Sequence, residues 1–170
     1  MNTTKTKNKI NLIGLSHKEL AEFFISIDEK PFRATQIIKW IHQRGISDIS
    51  EMTDLSKSLR EKLLKDCEIK VPDVVYEKLS TDGTKKWVIK VGEKDLIEMV
   101  LIPEKNRATL CVSSQVGCAV DCSFCATGKQ GFSRNLSLDE IIGQVWVAAN
   151  SFGLPREPNS RHITNVVMMG

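Results

Sequence analysis

The chain predicts an α/β fold with three parts: an N-terminal helical domain, an antiparallel β meander, and the first βαβ unit of an incomplete (β/α) barrel. Three observations predict this order. Apolar residues recur at helical spacing through residues 1–72, and short runs rich in β-branched residues fill residues 73–104. Residues 105–170 then alternate between strand, loop, helix and strand. These three ranges are the predicted domains.

The helical domain is predicted to contain three helices. Ser16 and Glu19 have the spacing of a capping box, in which each side chain bonds a free backbone N–H of the first turn. The first helix must end before Pro31, because the residue before a proline avoids helical geometry. Apolar side chains at helical spacing predict a second helix over about 33–43 and a third over about 56–66.

The middle of the chain predicts three short antiparallel strands. Val74–Leu79, Lys85–Val91 and Leu96–Ile102 are rich in β-branched residues. Asp82-Gly83 separates the first two runs and Gly92 separates the last two, and such residues favour tight turns. The pattern is typical of a meander.

The last part of the chain predicts one βαβ unit of a parallel sheet. Thr109–Ser113 is a strand, Ser137 and Glu140 open a helix that runs to Gly153, and Ile163–Met169 has the apolar character of a buried strand. One such unit cannot close a barrel or cover both faces of its own sheet. We therefore expect a truncated piece of a longer protein, with unpaired strand edges and exposed apolar surface.

Composition and charge narrow the class of protein. Hydrophobic residues make up 41% and charged residues 26%, a balance typical of soluble globular proteins, and no apolar run reaches the roughly 18 residues of a membrane span. Without a secretion signal, a cytoplasmic monomer is the expectation. Residues 1–70 hold 13 Lys and Arg against 10 Asp and Glu, which is compatible with a surface that faces RNA or simply with a solvated helical face.

The cysteines carry the strongest chemical signal. An odd count of five argues against a disulfide scaffold. Cys118, Cys122 and Cys125 form a CxxxCxxC arrangement in a loop that follows a strand, where α/β barrels place their active sites. Three thiolates would hold three irons of a 4Fe–4S cluster and leave the fourth iron for the amino and carboxylate groups of S-adenosylmethionine. Phe124, between the last two cysteines, is placed to pack against the adenine of that cofactor.

The spacing of the cysteines also allows other interpretations. A structural zinc ion would need a fourth ligand, from Cys111 or a histidine, and usually takes its cysteines in closely spaced pairs. An electron-carrying ferredoxin would also need a fourth thiolate, and Cys111 lies inside the preceding strand. Just beyond the three cysteines, Lys129, Gln130 and Arg134 are candidates to contact RNA phosphate or a cofactor carboxylate. The alternative is that they belong to a solvated loop.

Several segments together resemble one known family over nearly the whole chain. The matching segments are 29–33 (EKPFR), 51–54 (EMTD), 80–84 (STDGT), 107–118 (RATLCVSSQVGC), 131–136 (GFSRNL), 140–146 (EIIGQVW) and 163–170 (ITNVVMMG). They resemble the RlmN family of dual-specificity radical SAM methyltransferases. The resemblance implies methylation of carbon 2 of an adenine in 23S ribosomal RNA and in tRNA. The related Cfr group, which acts on carbon 8, is the nearest confusable family.

The resemblance also implies a mechanism and two further site residues. Family members carry a methyl group on a cysteine near their C-terminus, outside the residues of this chain, and a 5′-deoxyadenosyl radical activates that methyl group. An electron donor such as a flavodoxin system supplies the reductant. Glu98 matches the proton acceptor, and Cys111 matches the thiol that releases the product by forming a disulfide. Without the match, Glu98 would be an outward-facing strand residue and Cys111 a small buried hydrophobe.

Two expectations follow for the chain as a whole. Because most of the barrel and the methyl-carrying cysteine lie outside these residues, the fragment alone is expected to be inactive. The alternative function is a zinc-stabilised RNA-binding module without catalysis. A visible absorption band after iron and sulfide are added would separate a cluster from zinc.

Overall fold

The computed structural model describes residues 9–105, 107–154 and 162–169. The chain forms two compact units, of which the first ends at Lys70 and the second begins at Val71. The predicted loop around Pro155 and Pro158 lies outside the described residues. No helix among the described residues is long and apolar enough to cross a membrane.

The first unit is helical, and a short strand pair joins its two ends. Its elements are β1 (Ile10–Asn11), a 3-10 turn (Leu12–Gly14), α1 (His17–Ser26), α2 (Arg33–Ile38), a π-helical turn (Lys39–Gln43), a 3-10 turn (Ile49–Glu51), α3 (Lys57–Asp66) and β2 (Cys67–Glu68). The strands β1 and β2 pair in parallel, with Ile10 beside Cys67. The Asn11 side chain bonds both the N–H and the carbonyl of Lys70, each at 3.0 Å, and so ties the start of the unit to its end.

The predicted capping box of α1 is confirmed. The Ser16 N–H donates to the Glu19 carboxylate at 2.8 Å, and the Glu19 N–H donates to the Ser16 hydroxyl at 3.3 Å. The predicted second helix over about 33–43 is confirmed, and its last turn is π-helical, with the Arg44 N–H donating to the carbonyl of Lys39 five residues earlier. Apolar spacing alone cannot distinguish α- from π-helical turns, because the extra residue shifts the pattern by only one position.

A shared apolar core stabilises the first unit. Eleven of its side chains are almost fully buried: Leu12, Ile13, Leu20, Phe24, Ala34, Ile37, Ile41, Met52, Leu59, Leu63 and Cys67. Burial raises the pKa of the Cys67 thiol to about 11, so that this cysteine behaves as a small apolar side chain. Trp40 lies at the edge of the core, where its ring N–H donates to Asp54 at 2.6 Å.

The second unit is a five-stranded sheet with one helix packed on it. Its elements are β3 (Asp73–Leu79), β4 (Lys85–Val91), β5 (Asp95–Glu104), β6 (Arg107–Ser113), β7 (Gln115–Gly117), β8 (Phe132–Asn135), α4 (Leu138–Asn150) and β9 (Asn165–Met169). The strand order is β3-β4-β5-β6-β9, antiparallel throughout except for the parallel pair of β6 and β9. The predicted meander and the strand–helix–strand succession are confirmed, and they share one sheet. The strands β7 and β8 form a separate antiparallel hairpin.

The two faces of this sheet differ in character. The covered face packs against α4 through buried side chains: Trp87, Ile89, Ile97, Met99, Leu101, Leu110, Val112 and Ala148. Alternation along each strand places the intervening residues on the opposite face, which we call the open face. The register pairs Cys111 with Val100 on one side and with Val167 on the other, so these three residues share the open face.

The prediction of a buried final strand is wrong for the described structure. The strand β9 begins at Asn165, and Val166, Val167 and Met168 are 49%, 47% and 55% exposed. The apolar run predicted a strand covered on both faces. Among the described residues, β6 pairs with β9 along one edge but nothing buries the side chains on either face.

Candidate cysteine-loop site

The three clustered cysteines lie in a loop pinched closed at its base. We call residues 118–131 the cysteine loop. At the base, the Cys118 N–H donates to the carbonyl of Gly131 at 3.1 Å, between the strands β7 and β8. Gly117 has a φ of +73°, and a Cβ at that position would lie 1.7 Å from the Gly131 carbonyl oxygen. Only glycine allows the two strands to approach this closely.

Within the loop, a tight backbone turn connects the last two cysteines. The Cys125 N–H donates to the carbonyl of Cys122 at 3.0 Å. A Cβ on Gly128 would lie 3.1 Å from the Cys122 nitrogen, so a larger residue would push the neighbouring backbone away by a few tenths of an ångström. Cys118 is buried, whereas Cys122 and Cys125 are half-buried, and all three are free thiols.

Backbone N–H groups of the loop point at two of the sulfur atoms. The Val120 N–H donates to Cys118 Sγ at 3.5 Å. The N–H groups of Gly128 and then of Thr127 lower the pKa of the Cys125 thiol, because they stabilise the negatively charged sulfur. Peptide donors of this kind also surround the sulfur ligands of iron–sulfur clusters. Three thiols, two of them with such donors, and no fourth thiol in the loop fit a cluster held by three ligands.

The sulfur atoms are nevertheless not arranged as ligands. Within residues 9–105, 107–154 and 162–169, no three His, Cys, Asp or Glu side chains lie close enough to hold a metal ion. The ligand set Cys118, Cys122 and Cys125 therefore stays a prediction. Phe124 is 90% exposed on the loop surface, and its predicted packing against an adenine likewise stays a prediction.

The structure brings the other two predicted site residues together on the open face. Glu98 lies two residues from Val100, the partner of Cys111, so the two residues are diagonal neighbours on adjacent strands, about 7–8 Å apart. The Glu98 carboxylate is exposed and lies 2.7 Å from Nζ of Lys86. The Ser113 hydroxyl donates to the Glu98 carbonyl at 2.8 Å. Both residues therefore lie near the end of β6, beyond which the chain enters β7 and the cysteine loop.

Arg134 is committed to protein contacts. Its guanidinium bonds Asp95 at 2.9 Å through Nε and both oxygens of Glu140 at 2.7 and 2.9 Å through its two terminal nitrogens. Glu140 raises the pKa of Arg134, and Arg134 in turn holds the pKa of Glu140 below its ordinary value. The same carboxylate also accepts the Ser137 N–H at 2.9 Å, which is part of the predicted capping box. The sequence showed the capping role and missed the arginine contact.

Gln144 is a second residue that sequence reasoning missed. Its side chain is fully buried, although it is polar. The Ser113 N–H donates to its Oε1 at 2.8 Å, and its Nε2 donates to the Ser113 carbonyl at 2.9 Å. Its only signal in the sequence is a polar residue among the apolar positions of α4.

Comparison with solved structures defines the class of protein to which this fold belongs. A radical SAM methyltransferase from Sphaerobacter thermophilus superposes with a TM-score of 0.80 at 37% identity, over 95% of this chain and 46% of that one. The chain is thus an α/β protein with the fold of part of a radical SAM methyltransferase.

Sequence comparison identifies the family. Residues 10–69 match the ribosomal RNA large subunit methyltransferase N-terminal domain. The dual-specificity RNA methyltransferase RlmN of Marinomonas sp. is 64% identical over 95% of this chain and 44% of its own length. The RlmN proteins of Marinobacter nauticus and Pseudomonas putida are 54% and 57% identical, each over 98% of this chain. The chain belongs to the RlmN family, and it spans less than half the length of these relatives.

Proposed function

We propose that the chain is the cluster-holding part of a radical SAM RNA methyltransferase, which methylates carbon 2 of an adenine in 23S ribosomal RNA and in tRNA. The observation that carries the proposal is the cysteine loop, with three thiols and sulfur-directed N–H groups, in a chain 64% identical to an RlmN protein. The β6-α4-β9 unit would then be the first unit of a (β/α) barrel, with the loop at its active-site end.

The proposed cofactors are a 4Fe–4S cluster and S-adenosylmethionine. Cys118, Cys122 and Cys125 would hold the cluster, and Phe124 would pack against the adenine of S-adenosylmethionine. Together the bound cofactors supply one-electron cleavage of a carbon–sulfur bond, which no side chain provides. The chain's own contribution is the pinched loop base at Gly117 and the N–H donors that stabilise the thiolates.

Glu98 and Cys111 are the proposed catalytic residues. An adenine ring carbon that gains a new bond must lose its proton, and the Glu98 carboxylate would accept it. Lys86, 2.7 Å from that carboxylate, would hold it in place on the open face. The Cys111 thiolate would attack the sulfur of the methyl-carrying cysteine, so that a disulfide forms as the carbon–sulfur bond to the product breaks. The departing carbon would keep the electron pair of that bond and take up a proton, which completes the methyl group of the product.

The partners follow from the same proposal. The substrates are 23S ribosomal RNA and tRNA, and the reductant is an electron donor such as a flavodoxin system. The excess of 13 basic over 10 acidic residues in residues 1–70 supports an RNA-facing role for the helical unit. The cytoplasm, where these RNAs are made, is the proposed location.

The test begins with anaerobic purification of the full-length protein in the presence of iron and sulfide. We expect a brown protein with the visible absorption band of a 4Fe–4S cluster. Changing Cys118, Cys122 or Cys125 to Ala removes the band, while the matched control Cys67→Ala keeps it. A colourless protein that binds one zinc ion instead would support the zinc-stabilised module and refute the proposal.

The reaction itself is tested on an rRNA fragment and on tRNA. Mass spectrometry of the digested RNA should find 2-methyladenosine, and 8-methyladenosine would instead place the protein with the Cfr group. Glu98→Gln and Cys111→Ala should each lower product release at least about a hundredfold while the absorption band is retained. Full activity in either variant would remove that residue from the mechanism.

A further inference from the structure

We propose that one face of helix α4 positions the cysteine loop by binding the chain at both ends of the loop. Gln144 binds Ser113, just before the hairpin that carries the loop, and Glu140 binds Arg134, just after the loop. We call these two contacts the α4 clamp. Its consequence for catalysis depends on the proposed function, but the clamp itself does not.

The contact before the loop is made by the buried side-chain amide of Gln144, which bonds the Ser113 backbone in place of a neighbouring strand. The ladder between β5 and β6 ends at the pair of Val100 and Cys111, two residues before Ser113. Gln144 then accepts the Ser113 N–H and donates to the Ser113 carbonyl, as a neighbouring strand would. Its Nε2 also donates to the carbonyl of Glu140 at 3.3 Å. A fully buried amide with every bond satisfied fixes one geometry, since any shift would leave buried polar groups unpaired.

The contact after the loop is made by a two-pronged ion pair. Arg134 lies in β8, three residues beyond Gly131. Its two terminal nitrogens bind the two oxygens of Glu140, and its Nε binds Asp95 at the start of β5. The Glu140 side chain is only 13% exposed, so water screens this pair less than it would screen a surface pair.

The two contacts belong to the same helix face. Glu140 and Gln144 are four residues apart, which places their side chains one turn apart on the same side of α4. The hairpin and its loop are therefore bound at Ser113 and at Arg134 by one rigid element. Ser113 also bonds the Glu98 carbonyl, so the clamp sets the position of the three thiols relative to Glu98 and Cys111.

The clamp is tested first in the metal-free, full-length protein by hydrogen exchange. In Gln144→Glu, a carboxylate oxygen faces the Ser113 carbonyl, and in Arg134→Lys the two-pronged contact is lost. We expect backbone amides of residues 114–135 to exchange at least about tenfold faster in each variant. Glu77→Gln, which removes the carboxylate charge that pairs with Lys85 at 2.8 Å in the same unit, should leave exchange in these residues unchanged.

The second measurement uses the protein after iron and sulfide are added. We expect both clamp variants to bind the cluster but to show an altered electron paramagnetic resonance signal on addition of S-adenosylmethionine, which loss of stability alone would not produce. Wild-type exchange rates in residues 114–135 of both variants would overturn the clamp. If the wild-type protein binds no cluster, the proposed function fails while the exchange measurement still decides the clamp. If Gln144→Glu does not fold, Arg134→Lys carries the test.

Discussion

Two glycines at the base of the cysteine loop allow a matched test of the close approach between the strands β7 and β8. Gly117 and Gly131 both have a φ of +73°, and a positive φ costs an alanine about 1–3 kcal/mol of backbone strain at either position. The two positions differ in the space that is available to a Cβ atom. A Cβ on Gly117 would lie 1.7 Å from the Gly131 carbonyl oxygen, whereas a Cβ on Gly131 would meet nothing within 4 Å.

This difference in available space predicts how much the free energy of unfolding falls in each alanine variant. In Gly117→Ala the strands must separate by more than about 1 Å, which adds roughly 1–3 kcal/mol of overpacking. It also breaks the bond from Cys118 N–H to Gly131, worth about 1 kcal/mol more. We therefore expect Gly117→Ala to lower the free energy of unfolding by about 3–7 kcal/mol and Gly131→Ala by about 1–3 kcal/mol.

Urea unfolding followed by tryptophan fluorescence measures both values. Iron content after anaerobic addition of iron and sulfide gives a second comparison, in which Gly131→Ala should bind close to the wild-type amount and Gly117→Ala far less. Equal losses of stability in the two variants would refute the argument, because the Cβ clash exists only at Gly117 and should add to the backbone strain at that position.

Three further predictions concern the rest of the chain. Trp87→Phe should lower the free energy of unfolding by about 2–3 kcal/mol in urea titrations, because the buried ring loses its 2.6 Å bond to the Glu77 carboxylate. Arg134 holds the pKa of Glu140 below 4.5, so this pair adds stability above about pH 4.5 that disappears as the pH falls through the lowered pKa. Unfolding curves from pH 7 to pH 3 should thus drop more steeply for the wild type than for Glu140→Gln. Cys67, with a pKa of about 11, should resist iodoacetamide at pH 8 until the protein unfolds, as peptide mass spectrometry would show.

Sequence reasoning located the helices and the strands of the five-stranded sheet because each carries its own local signal, but it missed the short strands β1, β2, β7 and β8. The capping box at Ser16, the β-branched runs and the turn at Asp82-Gly83 are short-range features, and each marks its element within a few residues. The π-helical turn at Lys39–Gln43 left no such signal, since its apolar spacing fits an α-helix equally well.

The site was predicted only in part, for a physical reason. A CxxxCxxC spacing has few other uses, so the three cysteines could be singled out without a structure. Arg134 and Gln144 act through partners that lie far along the chain, 39 residues away at Asp95 and 31 at Ser113. No local pattern reports such a partner, so Arg134 was predicted to contact RNA or a cofactor or to lie in a solvated loop, and Gln144 was not singled out at all.

The buried residues that stabilise the sheet lie on one of its faces, and the proposed catalytic residues lie on the other. Trp87, Met99 and Leu110 are buried on the covered face, where substitution creates cavities that cost several kcal/mol. Glu98 and Cys111 lie on the open face, where Glu98 is exposed and Cys111 is half-buried. An exposed carboxylate contributes little to stability, so its presence in an otherwise apolar strand needs a reason other than folding. The alternation of a β-strand thus lets β5 and β6 place Glu98 and Cys111, the proposed base and the proposed thiol, together on one face while the opposite face holds the sheet to α4.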